Sequence, residues 1–271
     1  MLRDIFHPLM DRVRTREATL GVKGLSDIPF TREQKEAMRR DLALLDPPDR
    51  AIVTQALPHT MTGIPRLTAL IDAVRHLTEC DVPGAFAECG VWRGGSVLAM
   101  ILTLLEAGVT DRHIYLYDTF AGMTKPTDLD VSRFHEPAAD AWSAAERTGQ
   151  RMYSGLFDSH LITESSVRHT IQSAGYPSAM LHFVAGDVEQ TLPAHAPERI
   201  ALLRLDTDWY VSTKHELQHL YPRLTRGGVL IIDDYGEWDG ARRAVDEFFE
   251  APGDRLLLQR IDHAARMAVK V

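Results

Sequence analysis

The chain predicts an α/β fold built on a mostly parallel sheet, and three observations carry that prediction. Short apolar runs recur at residues 85–88, 114–118, 181–185, 200–205 and 229–232, each bounded by Gly, Pro or Asp. Helical periodicity fills the intervals, which is the alternation of a parallel sheet covered on both faces. Two of the runs, Leu202-Leu203-Arg204-Leu205 and Val229-Leu230-Ile231-Ile232, pass directly into Asp206-Thr207-Asp208 and Asp233-Asp234. Open α/β sheets hold ligands at the carboxyl ends of their strands, so four carboxylates there point to a divalent cation.

Composition narrows the partners. With 271 residues, 45% hydrophobic and 25% charged, the chain suits one large domain with appendages. A net charge of -8 leaves no basic stripe to neutralise phosphates, which excludes a general nucleic-acid binder and favours small-molecule chemistry. The start Met-Leu-Arg-Asp shows no apolar signal region, and no apolar run reaches the roughly 20 residues of a membrane span. A cytoplasmic protein without membrane contact is the expectation. Of the two cysteines, Cys80 and Cys89, the second lies in a Gly-rich turn and reads as structural, since no His partner is fixed beside it.

Residues 1–65 read as an N-terminal helical appendage, apolar enough to suit a homodimer. Its one clear helix spans 32–45, capped by Thr31 with Gln34 three residues on, and closed by Asp46-Pro47-Pro48. Residues 66–271 form the main domain. Leu67, Leu70, Ile71, Val74 and Leu77 share one helical face, and Pro83-Gly84 ends that segment. The strand 85–88, a helix over 96–107 and the strand 114–118 make a βαβ unit. Thr213-Lys214-His215-Glu216 reads as a capping box, so a helix is expected to open at Ser212, and another covers 240–249. Residues 255–261 and 266–271 are strand-like and separated by so few residues that they must pair antiparallel, which brings the sheet to seven strands. Many S-adenosylmethionine-dependent methyltransferases end a parallel sheet this way, so a Rossmann-like class I methyltransferase is favoured by analogy. Residues 119–164 show no strand pattern and carry Met123, Phe134, His135, Trp142, Tyr153 and Phe157; so long a connection reads as a lid or substrate insert.

Glu88-Cys89-Gly90-Val91-Trp92-Arg93-Gly94-Gly95-Ser96 follows a strand and opens a helix, where glycines admit a ligand to the backbone and free N–H groups attract an anion. The G-x-G-x-x-G spacing of a dinucleotide site is missing. Asp118, at the next strand end, is placed to bind ribose hydroxyls or to cap the turn. Gly186-Asp187 ends the third strand, where an adenine edge or a plain loop cap would sit. The oxygen-rich set Asp206, Asp208, Asp233 and Asp234 suits Mg²⁺ better than zinc, because no paired His or Cys ligands accompany it. Asp206 and Asp208 repel each other unless a cation or proton lies between them, so one should be ligand and the other base. Trp209 and Tyr210 line an acceptor pocket or pack beneath the loop. His59, His135 and His160 are candidate pocket members, and the other histidines read as surface or packing residues.

Together these segments resemble the macrocin O-methyltransferase family, which methylates deoxysugars on natural products. The matching pieces include Thr60-Met61-Thr62-Gly63, the string from Glu88 to Ser96, Asp118-Thr119-Phe120-Ala121-Gly122-Met123, Thr191-Leu192-Pro193, Asp206-Thr207-Asp208-Trp209-Tyr210 and Gly227 to Gly236. The resemblance implies S-adenosylmethionine held by Glu88, Gly90, Val91, Ser96, Asp118, Phe120, Gly186 and Asp187, with Thr60 and Met61 closing over it. It further implies Asp206, Asp233 and Asp234 as Mg²⁺ ligands, Asp208 as general base and a glycoside acceptor. A catechol-type acceptor offers the same vicinal oxygens. A nicotinamide-dependent sugar oxidoreductase lacks its glycine fingerprint and a suitably placed Tyr-x-x-x-Lys pair, and a non-catalytic binding protein would leave the acidic clusters without a metal.

Overall fold

The computed structural model describes residues 32–153, 162–250 and 256–271. Three helices come first, α1 (Arg32–Leu44), α2 (Pro47–Ala56) and α3 (Ile64–Glu79). The proline pair that ends α1 also starts α2, because proline is tolerated in a first helical turn whose N–H groups have no partner. The Thr31 cap lies outside the described residues. Then follow β1 (Ala85–Cys89), α4 (Gly95–Glu106), β2 (Ile114–Asp118), α5 (Ala138–Thr148) and α6 (Glu164–Gln172). The second half holds β3 (Leu181–Ala185), β4 (Ile200–Leu205), α7 (Tyr210–Leu220), β5 (Leu224–Ile232), α8 (Asp239–Phe248), β6 (Gln259–Arg260) and β7 (Arg266–Val269).

The seven strands are ordered β3-β2-β1-β4-β5-β7-β6. The first five are parallel, and β7 pairs antiparallel with both β5 and β6. This is the α/β sheet with a terminal antiparallel hairpin that the strand pattern predicts. The hairpin is shorter than expected: β6 is two residues long, and residues 251–255 lie outside the description.

The central strands are buried on both faces, and successive side chains alternate between two cores with the pleat. Phe86, Leu202, Val229 and Ile231 face one core with Val53, Leu67, Val74, Ile101 and Ile171 from α2, α3, α4 and α6. Ala87, Leu203, Leu205, Leu230 and Ile232 face the other with Leu217, Leu220 and Val245 from α7 and α8. Ile52, Val53 and Ala56 of the N-terminal region belong to the first core, and position 65 falls inside α3. Strand order reverses between β1 and β4, so their carboxyl ends open a crevice.

One local expectation fails. The supposed capping box is inside α7, which starts at Tyr210 with Trp209, four residues before Thr213, in the N-cap position. Thr213 and Glu216 are both buried there, so neither serves a helix end. Within 119–164 the described residues hold no strand, as expected; they form α5, which packs Ala138 and Ala145 with Trp209 and Trp238. Among the described residues, no helix is long and apolar enough to cross a membrane.

Phe86 is fully buried at the centre of the sheet. Phe86→Ala should lose about 3–5 kcal/mol in urea unfolding, whereas Leu44→Ala, at an exposed position, should stay within about 0.5 kcal/mol of wild type.

Candidate active site

The crevice opens into a cavity of about 510 Å³. Thr60, Met61, Glu88, Gly90, Val91, Ser96, Asp118, Gly186 and Asp187 all line it, as do Asp206, Asp208, Asp233 and Asp234. Phe120 does not; it is buried beside Phe183, with ring centroids 6.1 Å apart.

The turn after β1 is shaped by the chain's own packing. Gly90 has φ +84°, and a Cβ there would lie 1.8 Å from the Asp206 carbonyl oxygen. A Cβ on Gly95 would lie 2.6 Å from the backbone of His59. Both glycines therefore let protein segments converge, a demand of the fold that stands beside the expected approach of a ligand to this turn. Asp118 folds the turn from below: its carboxylate accepts the N–H groups of Val91, Trp92 and Phe120 at 2.7, 2.9 and 2.7 Å. Asp187 caps the helical turn Val188–Thr191 by accepting the Glu189 N–H. Thr60 is buried and accepts the Thr62 N–H, while Met61 is partly exposed at the cavity lip.

At the centre lies a residue that the reading of the strands passed over. Arg204, on β4 and 2% exposed, donates to Glu88 Oε1, to Asp206 Oδ2 at 2.7 Å, to Asp233 Oδ1 at 2.7 Å and to the Thr62 hydroxyl at 3.0 Å. Arg66, at the start of α3, pairs with Asp233 Oδ2 and Asp262. A lone arginine between leucines in a buried strand is the signal that marks it. Burial would raise the Asp233 pKa, but Arg204 and Arg66 outweigh it and hold the carboxyl below its usual value. Burial pushes Glu88 up to about 8 against the pull of Arg204. Burial, and then the charge of Asp206 on Asp208 and of Asp208 on Asp234, drive these two carboxyls well above the carboxylate range. Five carboxylates, those of Glu88, Asp206, Asp208, Asp233 and Asp234, thus face two guanidiniums.

The carboxyls outnumber the guanidiniums, and a cation among them would hold the surplus groups ionised. Oxygens of Asp206, Asp233 and Asp234 come within 4.8 Å of one another, the one such ligand group among the described residues. Carboxylate oxygens alone suit a hard divalent ion. For a cofactor, the fit lies in Glu88 Oε2, which is buried on the cavity wall with no hydrogen-bond partner. An unmatched acceptor there suits an ammonium or another N–H donor.

Asp208 stands between that cluster and an aromatic wall. Its φ of +67° is strained for a residue with a side chain. Its N–H donates to Asp234 Oδ2 at 3.1 Å, and its Oδ1 accepts the Trp238 indole N–H at 2.9 Å. His135 of the insert stacks on Trp238 and bonds Glu237, which also bonds His263. The insert is tied down through Trp209 Nε1 donating to the Thr124 carbonyl and the Tyr210 N–H donating to Asp130.

Of the other candidates, His59 does not line the cavity and His160 lies outside the described residues. Trp209 lines the cavity, whereas Tyr210 bonds Lys214 and Glu247 away from it. Cys89 is fully buried, and burial raises its thiol pKa, so it is no nucleophile. His215-Glu216-Leu217-Gln218-His219 has the H-E-x-x-H spacing of a zinc site, which the reading of these histidines as surface or packing residues overlooked. The two imidazoles sit side by side, but Glu216 turns into the core and accepts from Thr207, so the motif's arrangement of base beside metal is not built.

A class I methyltransferase sheet, with a cavity and an acidic cluster at its switch point, defines the class. The family model for macrocin O-methyltransferase (TylF) matches residues 26–269, and the chain belongs to that family of O-methyltransferases. It is 34% identical over 193 residues to the 8-demethyl-8-(2,3-dimethoxy-alpha-L-rhamnosyl)-tetracenomycin-C 4'-O-methyltransferase of Streptomyces olivaceus, covering 71% of this chain and 68% of the relative. It is 33% identical over 195 residues to the mycinamicin III 3''-O-methyltransferase of Micromonospora griseorubida, covering 72% of each. The O-methyltransferase NovP superposes with a TM-score of 0.65 at 30% identity, over 78% of this chain and 82% of that one.

Arg204→Leu would leave the buried Glu88 and the half-buried Asp206 without their guanidinium and Asp233 with Arg66 alone. The variant should lose about 3–5 kcal/mol of unfolding free energy near neutral pH. The deficit should narrow as pH falls through about 6, because Asp206, which burial raises to about 6 against the pull of Arg204, then takes up a proton with or without that partner. Denaturant unfolding across pH checks both.

Proposed function

We propose that the protein transfers a methyl group from S-adenosylmethionine to a sugar hydroxyl of a glycosylated natural product, with Mg²⁺ as the assisting ion. The observation that carries the reading is one continuous cavity with Glu88, Val91, Asp118 and Gly186 at one side and Asp206, Asp208, Asp233 and Asp234 at the other. The names of the relatives supply the acceptor class: they act on a rhamnosyl tetracenomycin and on mycinamicin III.

In this reading Glu88 receives the ammonium of the cofactor, Asp118 and Asp187 its polar ribose and base edges, and Thr60 and Met61 close the lip. Asp206, Asp233 and Asp234 would hold the ion. The cofactor supplies an electrophilic methyl on a sulfonium, and the ion a Lewis acid that lowers the pKa of a bound hydroxyl. Asp208 takes the hydroxyl proton. Trp238 fixes its Oδ1, which leaves Oδ2 as the acceptor. Trp209, Trp238 and His135 shape an aromatic wall that excludes water from that proton transfer.

The test is a screen of glycosylated acceptors with S-adenosylmethionine and Mg²⁺, scored by a mass gain of one methyl group; activity only on catechols would refute the sugar assignment. Asp208→Asn should bind S-adenosylhomocysteine like wild type by calorimetry but turn over about 10²- to 10⁴-fold more slowly. Unchanged turnover would remove the base role and favour a phenolic acceptor. EDTA should abolish turnover and added Mg²⁺ restore it; activity that survives chelation would rule out the ion.

A further inference from the structure

Glu216 is a fully buried carboxyl that the proposed chemistry does not use. It sits on the inward face of α7 among apolar residues, with Leu217 next to it and Cys89 beside it. Its Oε1 accepts the Thr207 hydroxyl at 2.9 Å, and its Oε2 is buried with no hydrogen-bond partner. No guanidinium or ammonium is bonded to it among the described residues, so burial favours the uncharged acid.

Its hydroxyl partner is placed where it matters. Thr207 lies between Asp206 and Asp208, and the turn it centres holds Asp208 at φ +67°. Strained backbone persists only where its surroundings over-determine it. Several bonds hold this turn: the Asp206 N–H to the Cys89 carbonyl at 2.9 Å, the Asp208 N–H to Asp234 and the Trp209 N–H to the Thr207 carbonyl at 2.8 Å. Glu216 is the only side chain bonded to the Thr207 hydroxyl among the described residues. It thereby anchors the middle of the turn to α7, and Cys89 beside it closes β1.

We propose that Glu216 is a positioning residue: by holding the Thr207 hydroxyl it fixes the turn that aims Asp206 and Asp208 into the cavity. The inference rests on the reading of Asp206 as ligand and Asp208 as base. It assigns to the carboxyl of the H-E-x-x-H string a role that the spacing alone would miss.

The experiment compares Glu216→Gln, which keeps an acceptor for Thr207, with Glu216→Leu, which removes it at similar volume. Both are made in the full chain and measured by hydrogen exchange and by Mn²⁺ titration followed by electron paramagnetic resonance. Glu216→Gln should match wild type in both. Glu216→Leu should exchange roughly tenfold faster over residues 206–209, with β4 unchanged, and should bind Mn²⁺ about 10- to 100-fold more weakly. Wild-type protection over residues 206–209 in Glu216→Leu would overturn the proposal, as would equal loosening of β4. If wild type binds no Mn²⁺, the metal reading fails, and hydrogen exchange alone decides the role of Glu216.

Discussion

The site depends on one buried guanidinium. Arg204 reaches Glu88 at the end of β1, Asp206 beyond β4, Asp233 beyond β5 and Thr62 before α3, so four segments meet on one side chain. Neither the arginine nor its carboxylates would be stable there alone, because an unpaired buried charge costs several kcal/mol. Their mutual neutralisation lets an acidic cluster exist at the heart of a sheet. It also explains the division among the acids: Asp233, held by two guanidiniums, stays ionised, whereas Asp208 and Asp234, with no guanidinium bonded to them among the described residues, are pushed up by burial and by neighbouring carboxylates. The imbalance leaves a place for a further cation, which the proposed ion would fill.

Around that centre the structure limits movement where chemistry needs precision. The Asp208 backbone is strained, and its carboxyl is held by the Trp238 indole. Trp238 is in turn stacked by His135, while Thr124 and Asp130 fasten the insert to the start of α7. Residues from the insert thus help to fix the proposed base, which links the region that would meet the acceptor with the group that would deprotonate it.

Much of this was legible in the sequence, and the limits have physical reasons. Strands were readable because buried parallel strands are short continuous apolar runs, and their acidic ends marked the functional edge. Arg204 was visible as a charge among leucines, but its partners stand 116 and 142 residues away, so its role is non-local. Thr213 and Glu216 satisfied a capping rule that knows only local spacing, while Trp209 took the N-cap position and burial claimed both residues. The glycines of the β1 turn were recognised, yet the neighbours that require them, Asp206 and His59, come from distant segments. Asp118 and Asp187 serve as caps, one of the two readings that the sequence allowed each, and their place in the cavity wall is what the proposed cofactor role draws on.

If Arg204 organises the carboxylates into a cation site beside the turn after β1, crystals soaked in Mn²⁺ should show it in an anomalous difference map. A single strong peak is expected, about 2.1 Å from an oxygen of each of Asp206, Asp233 and Asp234. A map with no peak there, or with its peak between His215 and His219 instead, would contradict it.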